Sequence, residues 1–190
     1  MLTILSYLVG FALLVVTAGL RAETGLTGTL WDKANVSGVP LELLYAVALQ
    51  ESRMLDSGLA RPDPYVIRDG STIYRPESFL EASEILSELL ADGRDDDKLK
   101  RIDVGMMQVN LFWHGQRVEE LDELLIPAIN IMVGSQILAK ALASKARSLE
   151  ERVGRYHSWT PKLAKPYGSS VIQISCGIGW QHEVCGGQVQ

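Results

Sequence analysis

Three short stretches of this 190-residue chain carry side chains able to do chemistry. The first is Glu51. On a helix, Leu44, Val47, Ala48 and Glu51 share one face, so the acid continues an apolar stripe. A carboxyl held against apolar surface is costly to ionise and its pKa should rise, as a general acid working near neutral pH requires. The plainer reading is a helix-end glutamate, solvated or paired with Arg53. The second stretch is Asp103-Val104-Gly105-Met106-Met107-Gln108-Val109-Asn110. Gln108 and Asn110 both donate and accept, which suits sugar hydroxyls and N-acetyl groups. Met106 and Met107 would form a soft apolar wall beside them, or simply fill the core. The third is Tyr156-His157-Ser158-Trp159, an aromatic helix end in which His157 is either a base or a packing residue. No Asp or nucleophile partner for His157 is evident, and no G-x-S-x-G occurs, so Ser-His-Asp catalysis lacks a motif.

These stretches need elements to hold them. Pro40 suits a first helical turn and opens an apolar run, 41–49, in which only Glu42 is polar. Such a helix, apolar nearly all round, belongs at the centre of a domain. Residues 65–68 and 71–74 flank Asp69-Gly70 and predict a β-hairpin closed by a type I′ turn. Phe79, Ala82, Ile85, Leu86, Leu89 and Leu90 recur at helical spacing, with Gly93 as the stop. The charge run 94–101 reads as a solvated loop, since the alternating ligands and glycine of a calcium loop are missing. Pro127 opens a helix through Leu142, and Ser148 with Glu151 forms a capping box for another reaching Tyr156. Thr160-Pro161 starts a last helix with Leu163, Tyr167 and Val171 on one face. The expected fold class is α+β, mostly helical, with one small β-hairpin.

Composition removes other functions. A 47% hydrophobic fraction excludes disorder, and 18 Lys+Arg against 23 Asp+Glu leave a net charge of −5 that suits nucleic acid poorly. The two cysteines, Cys176 and Cys185, have no metal-site spacing, so no metal is expected. Residues 2–20 carry no charge, and two readings stay open: a cleaved secretory signal or a membrane anchor. The expected organisation is 1–22 as that segment and 23–190 as one domain. In an oxidising compartment Cys176 and Cys185 would close a small disulfide loop; without export they are free thiols.

Ala48-Leu49-Gln50-Glu51-Ser52, then Gly105-Met106-Met107-Gln108-Val109-Asn110, then Asn130-Ile131 with Gly134, then Tyr156-His157-Ser158 follow one another in an order that resembles the lytic transglycosylase family with the lysozyme-like catalytic domain. The likeness covers residues 30–171. The segment 62–74 before Asp103-Val104-Gly105 looks like the subgroup associated with conjugation, type IV secretion and pilus machinery. The resemblance implies a lysozyme-like fold and a peptidoglycan glycan strand as substrate, without metal or organic cofactor. It places the single catalytic acid/base at Glu51 and a positioning serine at Ser52. Gln108 would line the saccharide groove, Gly105 and Met107 would shape its floor, and Tyr156 would face the acid, followed by His157. Met106 stands where leucine is usual, a nearly volume-conserving exchange. The implied reaction cleaves the β-1,4 bond between N-acetylmuramic acid and N-acetylglucosamine and leaves a 1,6-anhydro end, for periplasmic wall remodelling. Rival readings are a hydrolytic muramidase, using Asp56, Asp63 or Asp103 as a second carboxylate, and a non-catalytic peptidoglycan-binding subunit of an envelope apparatus.

Overall fold

The computed structural model describes residues 25–93 and 95–186. The apolar segment 2–20, with the signal or anchor expected there, lies outside the described residues, among which no helix is long and apolar enough to cross a membrane. After the short α1 (Leu30–Ala34) comes α2 (Leu41–Ser52), whose Leu43, Leu44, Ala46, Val47, Ala48 and Leu49 are all buried. An all-round apolar helix has nowhere else to go, and α2 lies at the centre against α6, α8 and β2, introduced below. Pro40 caps this helix instead of entering its first turn, because its ψ of 128° is extended.

Two strands that the sequence pattern hides follow directly: β1 (Arg53–Asp56) and β2 (Leu59–Pro62) form a hairpin through Ser57 (φ 50°) and Gly58 (φ 83°). Both strands are exposed on both faces, so no alternation marks them. The expected hairpin forms as β3 (Ile67–Asp69) and β4 (Thr72–Tyr74), but Asp69 stays in its strand opposite Thr72. The turn is therefore Gly70-Ser71 with positive φ at Gly70 alone, the pattern of type II′ and not type I′. This hairpin belongs to a four-stranded antiparallel sheet, ordered β4-β3-β5-β6, with β5 (Ile102–Val104) and β6 (Val109–Asn110).

α3 (Phe79–Leu90) starts at Ser78, whose hydroxyl accepts the Glu81 N–H. The charge run is not wholly a loop: Asp95 caps a one-turn helix, α4 (Asp96–Leu99), with acids in its first turn. Asn110 caps α5 (Leu111–His114), and Pro127 occupies the start of α6 (Pro127–Leu142). α7 (Leu149–Gly154) has half of the expected capping box. Ser148 accepts the Glu151 N–H, but the Glu151 carboxylate turns to Arg155, and the helix stops before Tyr156. α8 (Pro161–Gly177) is capped by Thr160, and α9 (Glu183–Gly186) is tied to it by the Cys176–Cys185 disulfide. The result is mostly helical α+β, as the composition and periodicity indicate.

Candidate active site

The end of α2 is inside the molecule. Ser52 is buried, and its Oγ lies 2.8 Å from the Met106 carbonyl and 3.0 Å from that of Ala48, while accepting the Asp63 N–H at 3.2 Å. One hydroxyl thus joins the helix end to the β5–β6 turn and to the strand-ward chain.

That turn, Gly105 to Gln108, is held from below by Asn130 of α6. The Asn130 side chain accepts the Met107 N–H (2.8 Å) and donates to the carbonyls of Val104 (2.9 Å) and Leu124 (2.8 Å). Gly105 has φ 75°, and a Cβ there would stand 2.4 Å from Asn130 Nδ2, so no other residue fits. Met106 and Met107 point into the core, Met107 against Gly134, so they lie under the floor and form no wall. Gln108 has φ 45°, strained for a non-glycine residue. Its Nε2 donates to the carbonyls of Gly105 (3.0 Å) and Val66 (3.3 Å), which leaves Oε1 buried without a partner.

Above this floor opens a cleft of about 650 Å³. Glu51, Gln108, Asn110, Tyr156 and His157 border it, joined by Arg68, Asp103, Trp113 and Tyr167, to which sequence reasoning gave no site or only a rival's. Ser52, Gly105 and Met107 lie behind the cleft and do not border it. Tyr156 donates its hydroxyl to the Met107 carbonyl at 2.7 Å, and it is Tyr167 whose hydroxyl donates to Glu51 Oε1, at 2.6 Å. Tyr167 sits on the face shared with Val171 that periodicity marked as apolar. Its one readable signal was a phenol on a buried face, which normally needs a polar partner. Nothing in a separation of 116 residues names that partner.

The electrostatics favour a neutral acid. Glu51 makes no ion pair among the described residues; Arg53 is exposed on β1. Burial raises the Glu51 pKa to about 7, the Tyr167 hydrogen bond and Arg68 oppose the rise, and the Asp103 charge adds to it. Burial likewise raises Asp103, against the Asn110 amide at 2.9 Å. Burial, then the Glu51 charge, holds the Tyr167 phenol well above its ordinary value, so it remains a donor. His157 is exposed with its ring stacked on Tyr167, centroids 5.0 Å apart and 7° between planes. Of the three aspartates open as second carboxylates, Asp56 pairs with Arg61 (3.1 Å) and Asp63 with Arg75 (2.7 Å). Only Asp103 stands in the cleft. Among the described residues no cluster of three or more His, Cys, Asp or Glu is arranged to hold a metal.

A family model described as Transglycosylase SLT domain matches residues 30–166. No curated protein and no solved structure matches the chain.

Proposed function

This chain belongs to the transglycosylase SLT domain family, with its lysozyme-like fold and its action on peptidoglycan, and from that premise we propose that it is a lytic transglycosylase using Glu51 as sole acid and base. A peptidoglycan substrate implies an extracytoplasmic location. The observation that carries the reading is the state of Glu51: a cleft carboxyl in no ion pair among the described residues, raised to about 7 and hydrogen-bonded by a neutral phenol. Such a group is protonated in a large fraction of molecules at neutral pH and is also a competent base once ionised.

In the proposed reaction the Glu51 carboxyl donates its proton to the glycosidic oxygen between the muramyl and glucosaminyl residues. The C–O bond breaks as positive charge grows on the muramyl ring. The carboxylate then removes the proton from the muramyl 6-hydroxyl, whose oxygen closes onto the anomeric carbon as a 1,6-anhydro ring. One carboxyl therefore serves both steps, whereas an ordinary glycosidase places a second one at roughly 5–9.5 Å. Gln108 borders the cleft beside the saccharide, its Nε2 held by the Gly105 and Val66 carbonyls. Ser52, Gly105, Met107 and Asn110 act as positioning residues, because their contacts fix the floor beneath substrate. Tyr156 holds the Met107 carbonyl, and the His157 ring keeps Tyr167 in place against Glu51. In this reading residues 1–22 export or anchor the 23–190 domain, and the enzyme opens the wall for a secretion, conjugation or pilus apparatus.

Asp103 favours one alternative, a hydrolytic muramidase, because it is a second carboxyl in the same cleft. Mass spectrometry of muropeptides released from purified sacculi separates the two. Anhydro ends are expected from the native chain, and Glu51→Gln should cut their release by about 10²–10⁴-fold. Reducing ends with loss of activity in Asp103→Asn would establish the hydrolase, and undiminished wall digestion by Glu51→Gln would remove both.

A further inference from the structure

A second cavity, of about 580 Å³, opens beside the cleft and shares with it Trp113, His114, Ile137, Tyr156 and His157. Its own walls are Lys140 and Ala141 of α6 and Arg155, Ser158 and Trp159 after α7. No carboxylate lines it, although the chain as a whole carries −5. Both tryptophans at its mouth are unusually open, Trp113 at 63% and Trp159 at 57% exposed. Lys140 is exposed and makes no ion pair among the described residues. Arg155 lies over the Trp159 ring at 4.9 Å with one Nη on Glu151, yet its Nε is buried and has no partner. The neighbouring His114 is driven down to about 4, first by burial and then by the charges of Arg117 and Lys140.

We propose that this side pocket binds the peptide substituent of the muramyl residue, taking a peptide carboxylate on Lys140 and the peptide's small apolar side chains against Ile137, Ala141 and Trp159. The inference rests on the transglycosylase reading and adds the part of the substrate that the glycan cleft leaves unrecognised. An N-acetylated glycan backbone is neutral and offers Lys140 nothing to pair with. The wall's anions are the carboxylates of the peptide and, where the peptide has been removed, of the bare lactyl group. An apolar shelf beside Lys140, which has no ion pair among the described residues, fits the former, since the lactyl group alone is too small to span it. Continuity with the cleft at Tyr156 and His157 places the pocket where a substituent would leave the sugar.

The test is a binding titration of the full chain, followed by tryptophan fluorescence, with N-acetylmuramyl-L-alanyl-D-glutamate and with N-acetylmuramic acid as probes. Lys140→Glu and Trp159→Ala are exposed changes expected to fold, and Lys33→Glu on α1 controls for net charge. The expected result is saturable binding of the muramyl dipeptide, weakened about tenfold by Lys140→Glu, the scale of one lost charge-assisted contact. Lys33→Glu should not move it, and N-acetylmuramic acid should bind far more weakly to every variant. Equal binding of the two probes would mean that the lactyl carboxylate is the ligand and overturns the proposal, as would dipeptide binding indifferent to Lys140→Glu and Trp159→Ala. Because the titration needs no turnover, a failure of the cleavage chemistry leaves it readable. In kinetics, the preference for peptide-bearing over amidase-stripped glycan strands should fall about tenfold in Lys140→Glu through KM, with kcat held.

Discussion

The carboxyl of Glu51 sits in a conflict that its surroundings only partly settle. Burial favours the neutral form, while the Tyr167 hydroxyl and Arg68 favour the charged one, and the balance falls at about 7. An acid needed in its protonated form loses activity as pH rises through that value, so kcat/KM should decline on the alkaline side of about 7. Tyr167→Phe removes the hydrogen bond that stabilises the carboxylate, and that limb should move to higher pH; a pH–rate profile of the variant that kept the limb in place would detach Tyr167 from the acid. The same group sets a stability difference. Folded Glu51 holds a proton between its unfolded value, 4.5, and about 7, so its favourable contribution is complete below 4.5 and is lost as pH rises through about 7. Above that range an ionised carboxylate is buried at a cost of about 3 kcal/mol. Glu51→Gln carries no such charge and should melt about 6–12 °C higher than the native chain at pH 8, with no difference near pH 4.5. Thermal scans at the two pH values check this. The stripe of Leu44, Val47 and Ala48 leading to Glu51 was legible in the sequence and offered a carboxyl against apolar surface beside the plainer reading of a solvated helix end. Tyr167 was not, because periodicity reports which face a residue occupies and not which distant group it meets.

Elements turn these side chains into a site through a few close approaches. α7 and α8 touch backbone to backbone: a Cβ on Gly154 would stand 1.8 Å from the Ala164 carbonyl oxygen, and one on Gly168 equally near that of Glu150. Neither obstacle is a side chain that could rotate away, so Gly154→Ala must push the helices apart. α8 carries Tyr167, and the chain leaving α7 carries Tyr156 and His157, so the displacement should reach both hydrogen bonds of the cleft. Gly154→Ala is expected to cost about 1–3 kcal/mol in urea unfolding. It should also shift the alkaline limb of the pH profile in the same direction as Tyr167→Phe. A variant destabilised with an unmoved limb would show that α8 adjusts without losing Glu51. The long elements were legible from the 3.6-residue recurrence of apolar residues and from Pro127 and Thr160 at the starts of two of them, whereas the Ser78 cap of α3 was not read. The β1–β2 hairpin was not, for want of a buried face, and neither was the role of Gly154, because no local pattern shows that α8 lies against it.

Along the described chain, the candidate cleft and the disulfide staple are separate. The family match ends at residue 166, one short of Tyr167, and the disulfide lies beyond it at the far end of α8. Nine residues separate Tyr167 from Cys176, about 13 Å along the helix. Between them Val171, Ile172 and Ser175 are buried against the core, so the position of Tyr167 is set by packing and not by the bridge. The bridge closes a loop of sequence separation 9, and constraining the unfolded chain by such a loop contributes about 2–3 kcal/mol. Replacing both cysteines by serine should therefore lower Tm by roughly 5–10 °C. The kcat and the pH limb on soluble glycan strands should stay unchanged at 25 °C, because Glu51, Tyr167 and the Gly105–Gln108 floor are joined by hydrogen bonds that the bridge does not touch. If activity fell in step with stability, the C-terminal clasp would have to act on Tyr167 along α8, and the cleft would depend on the whole helix instead of its first two turns. The melting curve and the rate, measured on one preparation of the double variant, separate those two architectures.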